Sequence, residues 1–269
     1  MYDLLKGKRG IIFGALDPNS IAWKVAKRCH EEKALFTLTN APVAMRLGAI
    51  NKLASECNCQ VIPADVTSDA DMENLLDKSV EILGGKIDFI LHSVGMSLNI
   101  RKGKAYTELD YEFMKKTLDI SAISLHRLLQ TCMKKDAMNE WGSIVALTYI
   151  AAQRVFPDYN DMADAKSLLE SITRNFGYQY GTKKKVRVNT ISQSPTKTTA
   201  GSGVKGFGAF YNYAEAMSPL GNASAEDCAN YCVVMFSDLT RMVTMQNLFH
   251  DGGFSFTGVS LPVMEKFMH

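Results

Sequence analysis

The chain has 269 residues, 46% of them hydrophobic and 22% charged, with a formal net charge of +2. That composition excludes a disordered or fibrous chain, and the near-neutral balance gives no support for a nucleic-acid or anionic-membrane partner. No apolar run is long enough to cross a bilayer, and the opening Met1-Tyr2-Asp3-Leu4-Leu5-Lys6 has no apolar signal core, so a cytoplasmic protein is expected. The six cysteines, at 29, 57, 59, 132, 228 and 232, lack framework spacing, and Cys57-x-Cys59 has no nearby histidine. Reduced, mostly buried thiols and no metal site follow.

Short β-rich runs alternate with helix-period segments along the whole chain. Strands are expected over Arg9–Phe13, Leu35–Thr39, 60–63, Ile87–His92, 143–148, 186–191 and 246–250, each nearly continuous in apolar residues. Helices are expected over 21–33, Asp69–Leu83, 111–133, 158–181 and Ala225–Phe236. Ala22, Val25, Ala26 and Cys29 form one apolar stripe, and Thr67, Ser68 and Ser224 are candidate caps. The alternation predicts a single domain over residues 1–269, a Rossmann-like doubly wound parallel sheet of about seven strands, with ligand at the carboxyl ends of the strands. The irregular stretch 192–222 is long enough to expect a function of its own.

The strand ends carry a dinucleotide pattern. After the first strand, Gly14-Ala15-Leu16-Asp17-Pro18-Asn19-Ser20-Ile21 lacks the G-x-G-x-x-G fingerprint but is a glycine-led turn into a helix, where Ser20 and the first amides can donate to phosphate. Asp65-Val66 follows the third strand, where a carboxylate can accept from an adenine amino group, and Ser93-Val94-Gly95 follows the fourth, beside a ribose and nicotinamide. The second strand ends in Thr39-Asn40-Ala41-Pro42, and its first basic residue is Arg46, on the next element. Without a cation for a 2′-phosphate, the cofactor expected is NADH rather than NADPH.

The chemistry points to Tyr159 and Lys166. Seven residues on a helix are about two turns, which puts both side chains on one face about 10 Å apart along the axis. A lysine can hold ribose hydroxyls while a tyrosine hydroxyl donates to a developing oxyanion. In carbonyl reduction the hydride goes to the carbon that bears the oxygen, and a one-turn spacing suffices. In an enoyl thioester it goes to the β-carbon, and charge appears on an oxygen two carbons away, so the donor stands further out. Tyr111-x-x-x-Lys115 and Tyr180-x-x-x-Lys184 have the one-turn spacing but face other parts of the fold.

The chain resembles the bacterial enoyl-acyl-carrier-protein reductases, a divergent branch of the short-chain dehydrogenases/reductases. The marks are Gly14-x5-Ser20-Ile21-Ala22, Asp65-Val66, His92-Ser93-Val94-Gly95, Tyr149-x9-Tyr159-x6-Lys166, Ser194-Pro195-Thr196-Lys197-Thr198 and Asp251-Gly252-Gly253-Phe254. The resemblance implies NADH-dependent saturation of enoyl groups on acyl carrier protein, by a homotetramer. Tyr159 resembles the donor to the thioester carbonyl, Lys166 the ribose-binding lysine and Tyr149 the second tyrosine of the pocket. Ser20, Ile21, Asp65, Val66, Gly95, Pro195, Thr196 and Thr198 are the cofactor contacts it implies, beside Gly14 and Ser93. Met96, Met162, Phe207 and Phe210 are the substrate contacts, and residues 194–222 the mobile covering segment, its glycines 201, 203, 206 and 208 suited to motion. Two departures stand out: Ser194-Pro195-Thr196 replaces the usual Gly-Pro-Ile, and Gly208 and Ala209 replace positions often basic at the carrier portal, where Lys205 matches. The competing expectations are a short-chain dehydrogenase acting on a ketone or alcohol, and a non-catalytic NAD-binding regulator.

Overall fold

The computed structural model describes residues 2–47 (for Leu47 the backbone alone), 49–199, 201 and 206–268; Gly203 and Lys205 lie outside the described residues. Seven strands form one parallel sheet: β1 (Arg9–Phe13), β2 (Leu35–Thr39), β3 (Gln60–Val61), β4 (Ile87–His92), β5 (Met138–Thr148), β6 (Arg187–Gln193) and β7 (Asn247–His250). Their order is β3-β2-β1-β4-β5-β6-β7. The α-helices are α1 (Ile21–Glu31), α2 (Ala49–Glu56), α3 (Asp69–Leu83), α4 (Leu98–Arg101), α5 (Tyr111–Leu118), α6 (Ser124–Lys134), α7 (Asn160–Lys184), α8 (Phe207–Met217), α9 (Ala225–Phe236) and α10 (Leu261–Met264).

Each sheet face has its own core. In β1, Ile12 packs with Val25, Leu53, Val233 and Phe236 of α1, α2 and α9, whereas Ile11 and Phe13 pack with Leu75, Leu128 and Leu169 of α3, α6 and α7. This two-residue alternation, apolar on both sides, is why the strands read as continuous apolar runs. Among the described residues no helix is long and apolar enough to cross a membrane. All six cysteines are free thiols.

Several boundaries differ from expectation for local reasons. The regular ladder of β3 stops at Val61, although Ile62 N and Ala64 N still donate to Leu38 O at 2.9 Å and Asn40 O at 3.1 Å. The expected helix 111–133 is interrupted by a π turn, Asp119–Ile123, between α5 and α6. α7 starts at Asn160 rather than 158, since Asp158 and Asn160 hold left-handed φ values of 67° and 43°. Ser68 caps α3 by accepting from Asp71 N at 3.2 Å, and Ser224 forms a capping box with Asp227 on α9. Thr67 caps nothing; its hydroxyl donates to Asp65 at 2.7 Å.

The closest approach between the central strands occurs at Gly10, where a β-carbon would overlap the Phe89 ring of β4. That ring is buried and stacks on Phe236 at 4.7 Å, so it has nowhere to retreat. Gly10→Ala should therefore lose on the order of 1–3 kcal/mol as an overpacked core site, read as a lower denaturant midpoint at unchanged slope.

Candidate active site

The chain runs from β1 outward through β2 to β3 and then crosses back to β4, so the crevice opens between the carboxyl ends of β1 and β4. Gly14 and Ser93 meet there: Gly14 has φ +92°, and a β-carbon on it would strike the Ser93 carbonyl oxygen. The glycine is thus required by contact between two loops as well as by any ligand. Ser20 precedes α1 but does not cap it; its hydroxyl donates to Asp17 O at 2.8 Å and accepts from Leu16 N at 3.2 Å. The Ser20 hydroxyl thus shapes the turn, beside the first amides of α1, from Ile21 on, which have no intrahelical acceptor. Asp65 spends Oδ1 on the Thr67 amide and hydroxyl, leaving Oδ2, while Arg127 donates to the Val66 carbonyl at 3.0 Å. At the end of β2, Asn40 donates to Ala15 O at 3.1 Å, and Arg46, the first basic residue after the strand, is exposed on the next turn.

Lys166 lies under this crevice, 8% exposed, with Nζ donating to the Leu147 carbonyl of β5 at 2.8 Å. Burial pulls its pKa down to about 8, against the opposing pull of the Glu170 carboxylate one turn on. Gly95 leads the β4 loop past it: a β-carbon there would sit 3.8 Å from Lys166 Nζ and 3.7 Å from Met162 Cε. His92, at the end of β4, is buried, bonds Ser124 Oγ through Nε2 at 2.9 Å, and burial pushes its pKa down to about 3. It is a neutral structural bridge to α6.

Tyr149 follows β5 directly, and its ring lies 5.2 Å from that of Tyr159. Its hydroxyl is buried and has no hydrogen-bond partner among the described residues. Burial raises both tyrosine pKa values well above normal, so both hydroxyls keep their protons and can donate. Tyr159 sits between two apolar clusters. One holds Ile100, Met162, Ala165 and Leu118; the other holds Tyr149, Ile150, Phe156, Phe210 and Phe254. Together they form a dry, acyl-sized lining around two proton donors and a cation.

Tyr159 is held by a network that sequence reasoning missed. Asp161, fully buried, accepts from Ser97 Oγ at 2.6 Å, Asn99 Nδ2 at 2.9 Å and Thr117 Oγ1 at 2.8 Å, joining the β4 loop, α4 and α5 to the start of α7. Ser121 in the π turn clips the same loop, accepting from Met96 N at 3.0 Å. The carboxylate has no partner close in sequence, so no local spacing rule could flag it. Phe156, Ile100 and Phe254 were not singled out as pocket residues; Phe156 lies in a connecting segment, Ile100 on the short α4 and Phe254 at the end of the quoted Asp251–Phe254 motif.

Other expected residues divide. Phe210 joins the tyrosines, its ring 6.1 Å from Tyr149, whereas Phe207 turns to Tyr211 at 6.0 Å and stays outside that cluster. Pro195 is buried at the end of β6; Thr196 Oγ1 donates to Ser194 O at 2.9 Å, and Thr198 Oγ1 accepts from Gly201 N at 2.9 Å. The one-turn pairs do not form a site: Tyr111 is exposed with Lys115 paired to Glu112, and Tyr180 is buried in the core with Lys184 paired to Asp136. Among the described residues no group of three His, Cys, Asp or Glu side chains gathers as a metal site.

Comparison with known proteins agrees with this geometry. The family model described as enoyl-(acyl carrier protein) reductase matches residues 14–255. An NADH enoyl-acyl-carrier-protein reductase of Rhizobium meliloti is 32% identical, covering 98% of this chain and 97% of its own length. The structure of an Alistipes finegoldii FabI–NADH complex superposes with a TM-score of 0.97 at 64% identity, over 98% of this chain and 93% of that one. The NADH enoyl-acyl-carrier-protein reductase of Aquifex aeolicus has a TM-score of 0.87 at 32% identity, over 95% and 99%.

Two outcomes follow from the buried charges. Between pH 8 and the normal lysine range the unfolded chain binds a proton that folded Lys166 has released, so this residue makes stability rise with pH across that window. Lys166→Met should remove that slope when unfolding free energy is compared at pH 7.5 and 9.5. Asp161→Asn leaves three inward donors facing an amide with one acceptor oxygen, and should cost about 1–3 kcal/mol in the same unfolding assay.

Proposed function

The chain belongs to the enoyl-(acyl carrier protein) reductase family, and on that premise we propose that it saturates the 2,3 double bond of enoyl thioesters in fatty-acid synthesis, with NADH as reductant. The observation that carries this reading is the tyrosine pair above a buried lysine, one hydroxyl of which is buried without a partner. NADH, when bound, supplies the hydride that adds at C3, and a proton added at C2 completes the saturation.

The donor set fits that cofactor. Gly14 and the α1 amides at Ile21 receive the pyrophosphate, with Ser20 shaping their turn. Asp65 Oδ2 and Val66 face the adenine, and Ser93, Gly95 and Lys166 meet the nicotinamide ribose, with Pro195, Thr196 and Thr198 on the far wall. The run from Thr39 to Met45, which holds no lysine or arginine, supports NADH over its phosphorylated relative. Lys166, part-way to neutrality by burial, gains from nearby negative charge and from ribose hydroxyls what it lost to desolvation.

Tyr159 donates a hydrogen bond to the thioester oxygen, strengthening as charge moves onto it. Tyr149 is the second donor within reach, and its unspent hydroxyl supports a ligand-facing role. Met96, Met162, Ile100, Phe156 and Phe210 line the acyl chain and exclude water, with residues 194–222 as the substrate-covering segment and α8 as its described helix. The substrate arrives on acyl carrier protein. The same reading includes a homotetramer in the cytoplasm; exposed Phe256, Leu261 and Phe267 near the carboxyl terminus support a face covered by another subunit.

Tyr159→Phe keeps the ring packing and removes only the hydroxyl. With NADH and an enoyl thioester, kcat should fall by about 10²–10³, while NADH affinity and melting temperature stay at parental values. Full activity in a Tyr149→Phe, Tyr159→Phe double variant would overturn the assignment, since the oxyanion would then be stabilised elsewhere.

A further inference from the structure

The segment from α4 to α5 opens on a basic run, as the turn before β6 does at Lys183-Lys184-Lys185. Residues 98–107 contain Arg101, Lys102 and Lys104 and no acid, in a protein whose net charge is only +2. All three are exposed, and none forms an ion pair among the described residues; Lys102 instead lies 4.3 Å over the Phe113 ring. Lys116 on α5 and Arg154 beyond β5 are likewise exposed and without an ion pair among the described residues. Some surface lysines do have acids, Lys24 with Glu226, Lys135 with Asp77 and Lys184 with Asp136, whereas exposed Lys183 and Lys185 have none among the described residues.

This loop is built onto the active site. Gly103 turns it with φ +65°, and Lys104 N donates to Asn99 O at 3.1 Å. Asn160, the residue after Tyr159, donates through Nδ2 to the Lys104 carbonyl at 2.5 Å. Asn99, at the loop's start, is one of the three donors to Asp161. On its inner side Ile100 packs with Met162 and Tyr159. One short segment therefore presents an apolar wall to the acyl pocket and a row of unneutralised cations to solvent at the same rim.

We propose that Arg101, Lys102 and Lys104 form the docking surface for the acidic face of the acyl carrier protein. The inference rests on the enoyl reductase reading above. It deepens that reading: Gly208 and Ala209 stand at positions often basic near Lys205, and Arg101, Lys102 and Lys104 supply three further positive charges. A carrier hands in its thioester on a flexible arm, so its own surface rests at the mouth and never reaches Tyr159. Cations there raise encounter rate and affinity for the carrier-borne substrate without taking part in chemistry.

The test compares two thioesters of the same enoyl group, one on acyl carrier protein and one on uncharged N-acetylcysteamine, in steady-state assays with NADH at low ionic strength. Arg101→Glu with Lys104→Glu should raise KM for the carrier substrate at least tenfold. It should leave kcat, and kcat/KM for the small thioester, within twofold. Arg101→Gln with Lys104→Gln should give an intermediate rise, and added salt should raise the parental carrier KM towards that of the variants. Both substitutions keep the Lys104 carbonyl that Asn160 binds. An unchanged carrier KM in both variants overturns the proposal, and so does an equal loss on both substrates, which would make the loop part of the pocket. If the parent protein turns over neither thioester, the reductase reading fails first.

Discussion

α7 carries the charged side chains of Asp161, Lys166 and Glu170 into the interior, and the way each is satisfied fixes where everything else in the site can stand. Asp161 accepts from Ser97, Asn99 and Thr117; Lys166 donates to Leu147 O; Glu170 accepts from Thr148 Oγ1 at 3.0 Å, Gln153 Nε2 at 3.0 Å and Asn247 Nδ2 at 3.1 Å. A buried charge without such partners costs several kcal/mol, so each partner set acts as a constraint. Asp161 ties the helix to α4 and α5, Lys166 to the body of β5, and Glu170 to the end of β5, the turn after it and β7. Three ties, spaced along one helix, leave it no freedom to slide or roll.

The same dryness sets the proton inventory. Burial holds both tyrosines protonated and draws Lys166 down to about 8, opposite shifts with one cause. The result is two neutral donors and one cation close to its point of discharge, among the apolar side chains of Ile100, Met162, Phe156 and Phe210. In that medium a hydrogen bond to a developing oxyanion is worth more than it would be in water.

What the sequence made legible was periodic or concentrated. β1, β2 and β4 fill both faces of the sheet and so read as unbroken apolar runs, and their observed bounds match. Tyr159 and Lys166 stood out because a chemical task constrains their spacing. Asp161 did not, since a single acid among helical residues has the same local pattern whether it faces solvent or three donors from distant segments. Ser20 was visible, but not the turn it closes through Asp17 and Leu16, which depends on backbone geometry that residue types alone do not determine. The π turn at Asp119–Ile123 is hidden for the same reason, as its residues are compatible with an ordinary helix.

The spacing argument itself changes once the backbone is seen. A step of seven positions from Tyr159 to Lys166 would be two turns on a continuous helix, but Tyr159 stands before α7, flanked by left-handed Asp158 and Asn160. Those conformations cost energy, least for Asp and Asn, and persist where surrounding contacts over-determine them. Here the contact is Asn160 Nδ2 on the Lys104 carbonyl, backed by Asp161 on Asn99. The tyrosine thus reaches its place by leaving the helix, turned in between Tyr149 and Met162 instead of continuing the face that carries Lys166. A donor that must stand beyond the carbon receiving hydride is positioned by two strained residues and a loop from the other side of the crevice. The distance between cation and hydroxyl is therefore set by tertiary contacts, and the seven-residue spacing supplies only the length of chain those contacts need.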